Sequence, residues 1–347
     1  MISLLIPTLN RSQLLIKLLG YYAEVGFQGT ICIGDSSDDE HVRRTKEAIK
    51  TFQSKLDIVY REYPLLHDAA CVQKLLDLVT TPYAAYIADD DFFVPSALDQ
   101  CASFLENQPE YSAAHGLGAL LVVQKNGGVR NAGHYKQQVT EADTASQRLI
   151  DHLANYSATV FSLHRTESLR AMYQRVHTIP DRGFAGEMLP TCMTVVLGRV
   201  KYLDCFYLVR LAHDQRHFLP GQFDWITKPQ WVPSYEIFLD QVGEELARRD
   251  GMSKPEGMEV VKQAFSGFLI KGMVHQWNQR YLPAGAQPRS RWREMARRAP
   301  VLRRVWQQGR SYLPKEDHKL SLPALLRPTS RYHADFMPVY RAVTASP

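Results

Sequence analysis

Between residues 2 and 91, four strand-like runs are separated by three helix-like ones, and this rhythm restricts the fold more than anything else in the chain. ISLLIP reads as a buried strand, and Asn10 followed by Gln13 predicts a capping box opening a helix with Leu14, Leu15, Leu18, Leu19 and Tyr22 on one face. TICIGD is a second strand. Ser37 and Glu40 then predict another capping box before a largely polar helix. LDIVYRE is a third strand, Ala69, Val72, Leu75, Leu76 and Val79 mark a helix ending before Thr81-Pro82, and YAAYIA is a fourth strand running into Asp89-Asp90-Asp91. Such a succession implies an α/β fold with a mostly parallel sheet and helices on both faces. Ligands of open sheets of this kind bind beyond the carboxyl ends of the strands, which here are Pro7 to Arg11, Gly34 to Asp38 and Asp89 to Asp91.

Downstream the pattern turns more antiparallel. A helix is predicted over 96–107, then a strand near 117–123, an Asn126-Gly127-Gly128 hairpin turn and a return strand. A helix over 143–154, a strand over 157–163, a helix over 187–197 and a strand over 200–209 complete a first domain, 1–215. A mostly helical C-terminal region, 216–347, opens with a Pro- and Gly-containing stretch and continues with helices near 235–249 and 256–281.

No apolar run approaches the ~18 to 20 residues of a membrane-spanning helix, and no secretory signal is recognisable in MISLLIPTLNR, so a cytoplasmic location is expected. The cysteines at 32, 71, 101, 192 and 205 lack any C-x-x-C spacing and read as small buried hydrophobes in a reducing compartment. Charge is concentrated: residues 289–310 hold eight arginines against Glu294, a local net of +7 in a chain whose total is +5. Trp292, Met295, Val301, Leu302, Val305 and Trp306 alternate with those arginines, as in a helix lying in an anionic membrane interface, although Pro300 divides it. A nucleic-acid contact competes with that reading, but no recognition module accompanies the segment and no specific nucleic acid is expected. A basic surface packed on its own domain is the third possibility.

Three aspartates in succession at a strand tip repel one another and normally call for a cation. Carboxylate oxygens favour Mg²⁺ or Mn²⁺, and Mg²⁺ is commonly held by one or two carboxylates together with substrate phosphates. A solvated loop capping the next helix is the alternative. Neither G-x-G-x-x-G at the first helix nor a P-loop motif occurs, which removes support for dinucleotide-binding and P-loop ATPase folds.

Ile6-Pro-Thr-Leu-Asn-Arg11, Gly34-Asp35-Ser36-Ser37 and Ala88-Asp89-Asp90-Asp91, in this order and spacing, resemble a GT-A-fold nucleotide-sugar glycosyltransferase of the family-2-like group. The resemblance is carried by residues 2–107, extends to about 215 and stops before the C-terminal third. It implies that Pro7, Thr8, Asn10 and Arg11 hold the nucleoside with Asp35, which would accept hydrogen bonds from the base. Asp89, Asp90 and Asp91 would be the D-x-D element, with Asp89 toward ribose or metal and Asp91 on the metal that binds the diphosphate. The family's usual Asp-Asp-Gly-Ser is Gly34-Asp35-Ser36-Ser37 here, one acid fewer. Glu187, 96 residues after Asp91, takes the place of the family's general base, with Asp181 as fallback. His213, and less strongly His217, take that of a further metal ligand, and Arg210 or Arg216 could touch phosphate.

The expected function is therefore metal-dependent transfer of a sugar, with inversion, from a nucleotide-sugar donor to a cell-surface or lipid-linked glycan acceptor. The enzyme would sit in the cytoplasm or peripherally on the inner face of the membrane through 289–310. A nucleotidyltransferase acting on a sugar phosphate would share the sheet and acidic loop but usually opens with a Gly-rich basic loop, which Asn10-Arg11-Ser12 is not. A non-catalytic nucleotide- or sugar-binding scaffold is the alternative from another class.

Overall fold

Every second residue of the first strand faces the same layer, and in β1 (Ile2–Thr8) both alternating sets carry buried apolar side chains. Ile2, Leu4 and Ile6 enter one core and Leu5 the other, and in β2 (Thr30–Asp35) Ile31 and Ile33 divide from Cys32 in the same way. A strand that is apolar on both sides is stable only in a sheet covered on both faces. The computed structural model of the protein describes residues 1–124, 127–137, 139–213, 221–282 and 320–345. β3 (Asp57–Glu62), β2, β1 and β4 (Tyr83–Tyr86) lie side by side, all parallel. The connecting helices are α1 (Ser12–Glu24), α2 (Asp39–Phe52) and α3 (Asp68–Leu76).

The sheet then continues as a mixed one. After β5 (Phe92–Phe93) and α4 (Pro95–Asn107) come β6 (Tyr111–Val123) and β7 (Val129–Tyr135), and α5 (Ala145–Ala154), β8 (Leu163–Arg165) and α6 (Thr166–Tyr173) follow. A π turn over Phe184–Met188 leads into α7 (Leu189–Leu197) and β9 (Arg199–Ala212). The strand order is β3-β2-β1-β4-β8-β6-β9-β5, with β7 on β6. β8 pairs antiparallel with both β4 and β6, whereas β6 and β9 run parallel. The fold is thus α/β, with a mostly parallel core of strands and a helical C-terminal region.

That C-terminal region covers the sheet from both sides. α8 (Gln222–Ile226), α9 (Trp231–Asp250) and α10 (Lys254–Tyr281) bring Trp225, Phe238, Val242 and Phe265 into the core that contains Leu5 and Cys32. Phe184 sits among their rings, 4.7 Å from Trp225 and 5.4 Å from Phe238. On the opposite face, α11 (Leu322–Leu325) and α12 (His333–Thr344) place Leu325, Phe336, Val339 and Val343 in the core that contains Ile2, Leu4 and Ile6 of β1. Arg341 also pairs with Glu24 of α1 at 2.6 Å. No helix among the described residues is long and apolar enough to cross a membrane.

Several local expectations are corrected. The first helix has Arg11, not Asn10, at its N-cap, because Asn10 adopts a left-handed conformation (φ 53°) and turns its side chain to a neighbouring loop. Asp38, not Ser37, caps α2, accepting from the backbone of His41. The strand expected over 157–163 is confined to Leu163–Arg165, and the preceding segment turns so that Thr159 donates its hydroxyl to the Thr191 carbonyl. The expected hairpin is present as β6 and β7, and all five cysteines are buried and free. The segment 289–310, with His217 and Arg216, lies outside the described residues.

Since Phe336 is fully buried against the sheet, truncating the chain before α11 would strip core side chains as well as the basic segment. Phe336→Ala is expected to lower unfolding free energy by about 3 to 5 kcal/mol, as for other buried Phe deletions. Urea denaturation measures it, and a loss under about 1 kcal/mol would mean that α12 contributes little to the core.

Candidate functional site

Where α1 meets the end of β4, two tyrosines hold the backbone that carries the aspartates. Tyr21 donates its hydroxyl to the Phe93 carbonyl at 3.0 Å, and the Tyr22 oxygen accepts from the Phe93 N–H at 3.4 Å. Phe92 and Phe93 pair with Val209 and Leu208, so β5 binds the triplet to β9. Asp89, Asp90 and Asp91 are consequently 2 %, 5 % and 0 % exposed, which excludes the solvated helix-capping loop.

Their partners divide the three carboxylates. Asp89 accepts from the Thr8 hydroxyl at 2.7 Å and pairs with Arg11 at 3.1 Å. Asp90 meets the other arm of the Arg11 guanidinium and, at 2.8 Å, Nε2 of His213. Asp91 turns the other way: Arg210 Nε lies 2.7 Å from one oxygen and the Leu211 N–H donates to the other at 3.0 Å. Burial pushes the Asp89 carboxyl up to about 7 despite Arg11. Burial pushes Asp91 up as well, against the pull of Arg210. For Asp90 the burial is outweighed by the His213 hydrogen bond and by Arg11, which hold it below the usual carboxylate range. Three buried acids face two permanent cations, Arg11 and Arg210, so a proton, an imidazolium or a bound cation must meet the remaining charge.

The loops after β1 and β2 form a second wall. Asn10 N–H donates to Ser37 Oγ at 2.7 Å, Asp38 N–H donates to Asn10 Oδ1 at 2.9 Å, and Ser36 N–H donates to the Thr8 carbonyl at 2.9 Å. Asn tolerates the left-handed backbone this needs. Asp35 is 1 % exposed and accepts from Ser37 N–H at 2.9 Å and from the Tyr60 hydroxyl at 3.0 Å. Pro7 is half-buried in β1 opposite Gly34, where any Cβ would lie 2.2 Å from Cys71 Sγ of α3; glycine lets α3 approach the strand tip this closely.

Glu187 lies in the π turn before α7, an irregularity frequent at functional sites. Tyr156 donates its hydroxyl to Glu187 Oε1 at 2.7 Å. The turn is pinned to the start of α3 by Arg182, whose guanidinium forks onto Asp68 at 2.7 to 3.2 Å. Tyr135 links this wall to the triplet: its hydroxyl accepts from Arg210 at 3.0 Å, and the negative charges of Asp91 and Glu187 both raise its pKa, after burial. Arg210 itself is held over the Phe161 ring, 4.0 Å from its centroid. Asp181 has a structural role instead, its carboxylate accepting from Phe184 N–H at 3.1 Å and from the Trp225 indole at 2.9 Å.

The structure therefore brings Thr8, Arg11, Asp89, Asp90, Asp91 and His213 into one cluster and joins Asn10 to the loop after Asp35. Arg210 meets Asp91 rather than an open phosphate position. Tyr60, Tyr135, Tyr156 and Phe161 went unrecognised in the sequence, where nothing in an isolated aromatic marks the acid or guanidinium it will touch.

Among the described residues no three His, Cys, Asp or Glu side chains converge as a closed metal cage. Asp90 Oδ2 and His213 Nε2 face each other, and once Arg11 Nη2 and the His213 proton leave that oxygen they would suit a cation that completes its shell with ligand phosphates. Asp91 fits that role poorly, since both its oxygens already accept from β9.

No protein-family profile matches the chain, and no curated protein matches it. Among solved structures it is similar to S. aureus TarS 1–349 in complex with UDP-GlcNAc, with a TM-score of 0.52 and 16 % identity over 83 % of this chain and 77 % of that one. S. aureus TarS itself gives a TM-score of 0.49 and 14 % identity over 99 % of this chain and 54 % of that one. The first likeness shows a GT-A-like fold.

Arg210→Met is expected to destabilise the protein by about 3 to 5 kcal/mol, because it leaves Asp91 buried without its cation. Urea titration at neutral pH reads this directly; an unchanged midpoint would show that Asp91 is paired by something other than Arg210.

Proposed function

We propose that the protein is a nucleotide-sugar glycosyltransferase that transfers, with inversion, a sugar to a cell-surface or lipid-linked glycan acceptor. The observation that carries this reading is the meeting of Arg11, the aspartate triplet and His213 beyond the carboxyl ends of β1 and β4, in a fold shared with TarS, whose 1–349 fragment was crystallised with UDP-GlcNAc. Asn10, Arg11 and the Asp35 loop line the nucleoside side, with Pro7 and Thr8 fixing their backbone. Asp90 and His213 would hold Mn²⁺ or Mg²⁺ with Asp89 adjoining them, while Asp91 secures β9. Bound there, the cation would neutralise charge on the departing diphosphate.

Glu187 takes the proton of the acceptor hydroxyl, and the Tyr156 hydroxyl on Oε1 fixes the direction in which the carboxylate points. Arg11 adds a positive charge on the donor side of the triplet. The basic segment 289–310 draws the enzyme to the inner face of an anionic membrane, where a lipid-linked acceptor would lie.

Calorimetry with UDP, UDP-GlcNAc and other nucleotides, with and without Mn²⁺, tests the donor reading. Binding strengthened by Mn²⁺ is expected, and its loss in Asp90→Ala; no affinity for any nucleotide would overturn it. Glu187→Gln should keep donor affinity and lower turnover about 10² to 10⁴-fold, the range for loss of a general base. A variant that loses donor affinity and keeps its turnover would make Glu187 a binding residue.

A further inference from the structure

Helix α10 carries an apolar stripe that nothing described covers. Ile270, Val274, Trp277 and Tyr281 are 61 %, 53 %, 55 % and 57 % exposed, and their spacings of four, three and four residues put them on one face. The Trp277 and Tyr281 rings are in contact, 4.4 Å between centroids and tilted by 43°, and the Arg280 guanidinium lies 5.7 Å from the Tyr281 ring. Isolated surface hydrophobics need no explanation, but four large ones in a row do.

We propose that this face of α10 docks on an anionic lipid bilayer. It gives the membrane attraction proposed for the basic segment a defined surface, and it does not depend on the transferase chemistry. The charge pattern selects this occupant. No Asp or Glu occurs between Glu259 and Glu294, whereas Lys262, Lys271 and Arg280 lie on α10 itself and the chain after it adds the arginines of 289–310. A second copy would set these cations against their own images, and a protein partner would need an acidic surface with an apolar centre. An anionic headgroup layer over acyl chains offers both at once, and Trp and Tyr favour that boundary.

The placement of the stripe agrees with this occupant. Phe268, just N-terminal to Ile270 on α10, packs 5.0 Å from the Tyr156 ring, and Tyr156 bonds Glu187. The lipid-facing end of α10 and the candidate base are therefore joined through one aromatic contact.

Co-sedimentation of the full chain with vesicles of pure phosphatidylcholine, or of phosphatidylcholine mixed with phosphatidylglycerol, tests the proposal. The parent should pellet with the anionic vesicles alone, and less as salt shortens the Debye length. Trp277→Ser/Tyr281→Ser and Ile270→Ser/Val274→Ser should each weaken partitioning by about tenfold or more, since binding scales with buried apolar area. Their thermal unfolding and nucleotide binding should match the parent, as the side chains are exposed and outside the donor site. Parent-like partitioning of both variants would overturn the proposal and leave the basic segment as the contact. So would a parent that ignores anionic vesicles, or a stripe variant whose only change is the loss of an oligomer in analytical ultracentrifugation.

Discussion

The Asp91–Arg210 pair, buried where the tip of β4 meets the end of β9, holds the two halves of the site together. Asp91 closes the parallel half of the sheet, and Arg210 belongs to the mixed half. Their 2.7 Å contact, with the Leu211 N–H on the other carboxylate oxygen, fixes the end of β9. Only from that position can His213, two residues beyond Leu211, reach Asp90. Such a pair adds little net stability over an apolar substitute, but breaking it leaves a charge in the core, which gives β9 one register and His213 one position.

Charge balance governs the rest of the cluster. Arg11 spans Asp89 and Asp90 in the place where a divalent cation between two carboxylates would otherwise be needed. Being covalently attached, it keeps the aspartates together without ligand; being single, it leaves the cluster short of positive charge. A cation entering with a diphosphate would therefore find Asp90 ionised, held so by His213 and Arg11 against its burial. On the proposed donor reading, the cluster would suit a ligand that brings phosphate and metal together better than a metal alone.

The parallel half of the sheet was legible in the sequence because β1, β2 and β4 are apolar on both faces and their helices have clear stripes. The acidic tip was legible for the same reason, as three charges cannot follow a doubly buried strand by accident of packing. Asn10 misled: its spacing to Gln13 fits a capping box, yet its side chain is more strongly engaged across the sheet by Asp38 N–H. The Ser157 to Leu163 stretch has strand-like composition, but Thr159 bonds its hydroxyl to α7 rather than joining a ladder. Asp91 could not be distinguished from its neighbours by sequence, since its partner lies 119 residues away. The return of α11 and α12 to the β1 face likewise depends on contacts between the two ends of the chain, such as Lys17 Nζ to the Ala345 carbonyl.

The same helix that closes one core also gives the site its orientation. Phe265 of α10 is buried in the aromatic cluster around Phe184, at the first residue of the π turn that carries Glu187. One helical turn on, Phe268 touches Tyr156, the hydrogen-bond partner of Glu187, and beyond it the helix leaves the core with Ile270, Val274, Trp277 and Tyr281 exposed. Because a helix transmits position along its axis with little slack, the direction of the exposed stripe is fixed relative to Glu187. Under the proposed docking, an acceptor with a lipid tail and a sugar head would use that relation: the tail would stay in the bilayer against α10, and the head would reach Glu187 in the π turn packed on the inner side of that helix. A free sugar acceptor would need no such geometry, so the lipid-linked acceptor of the proposed function stands or falls with the docking of this face.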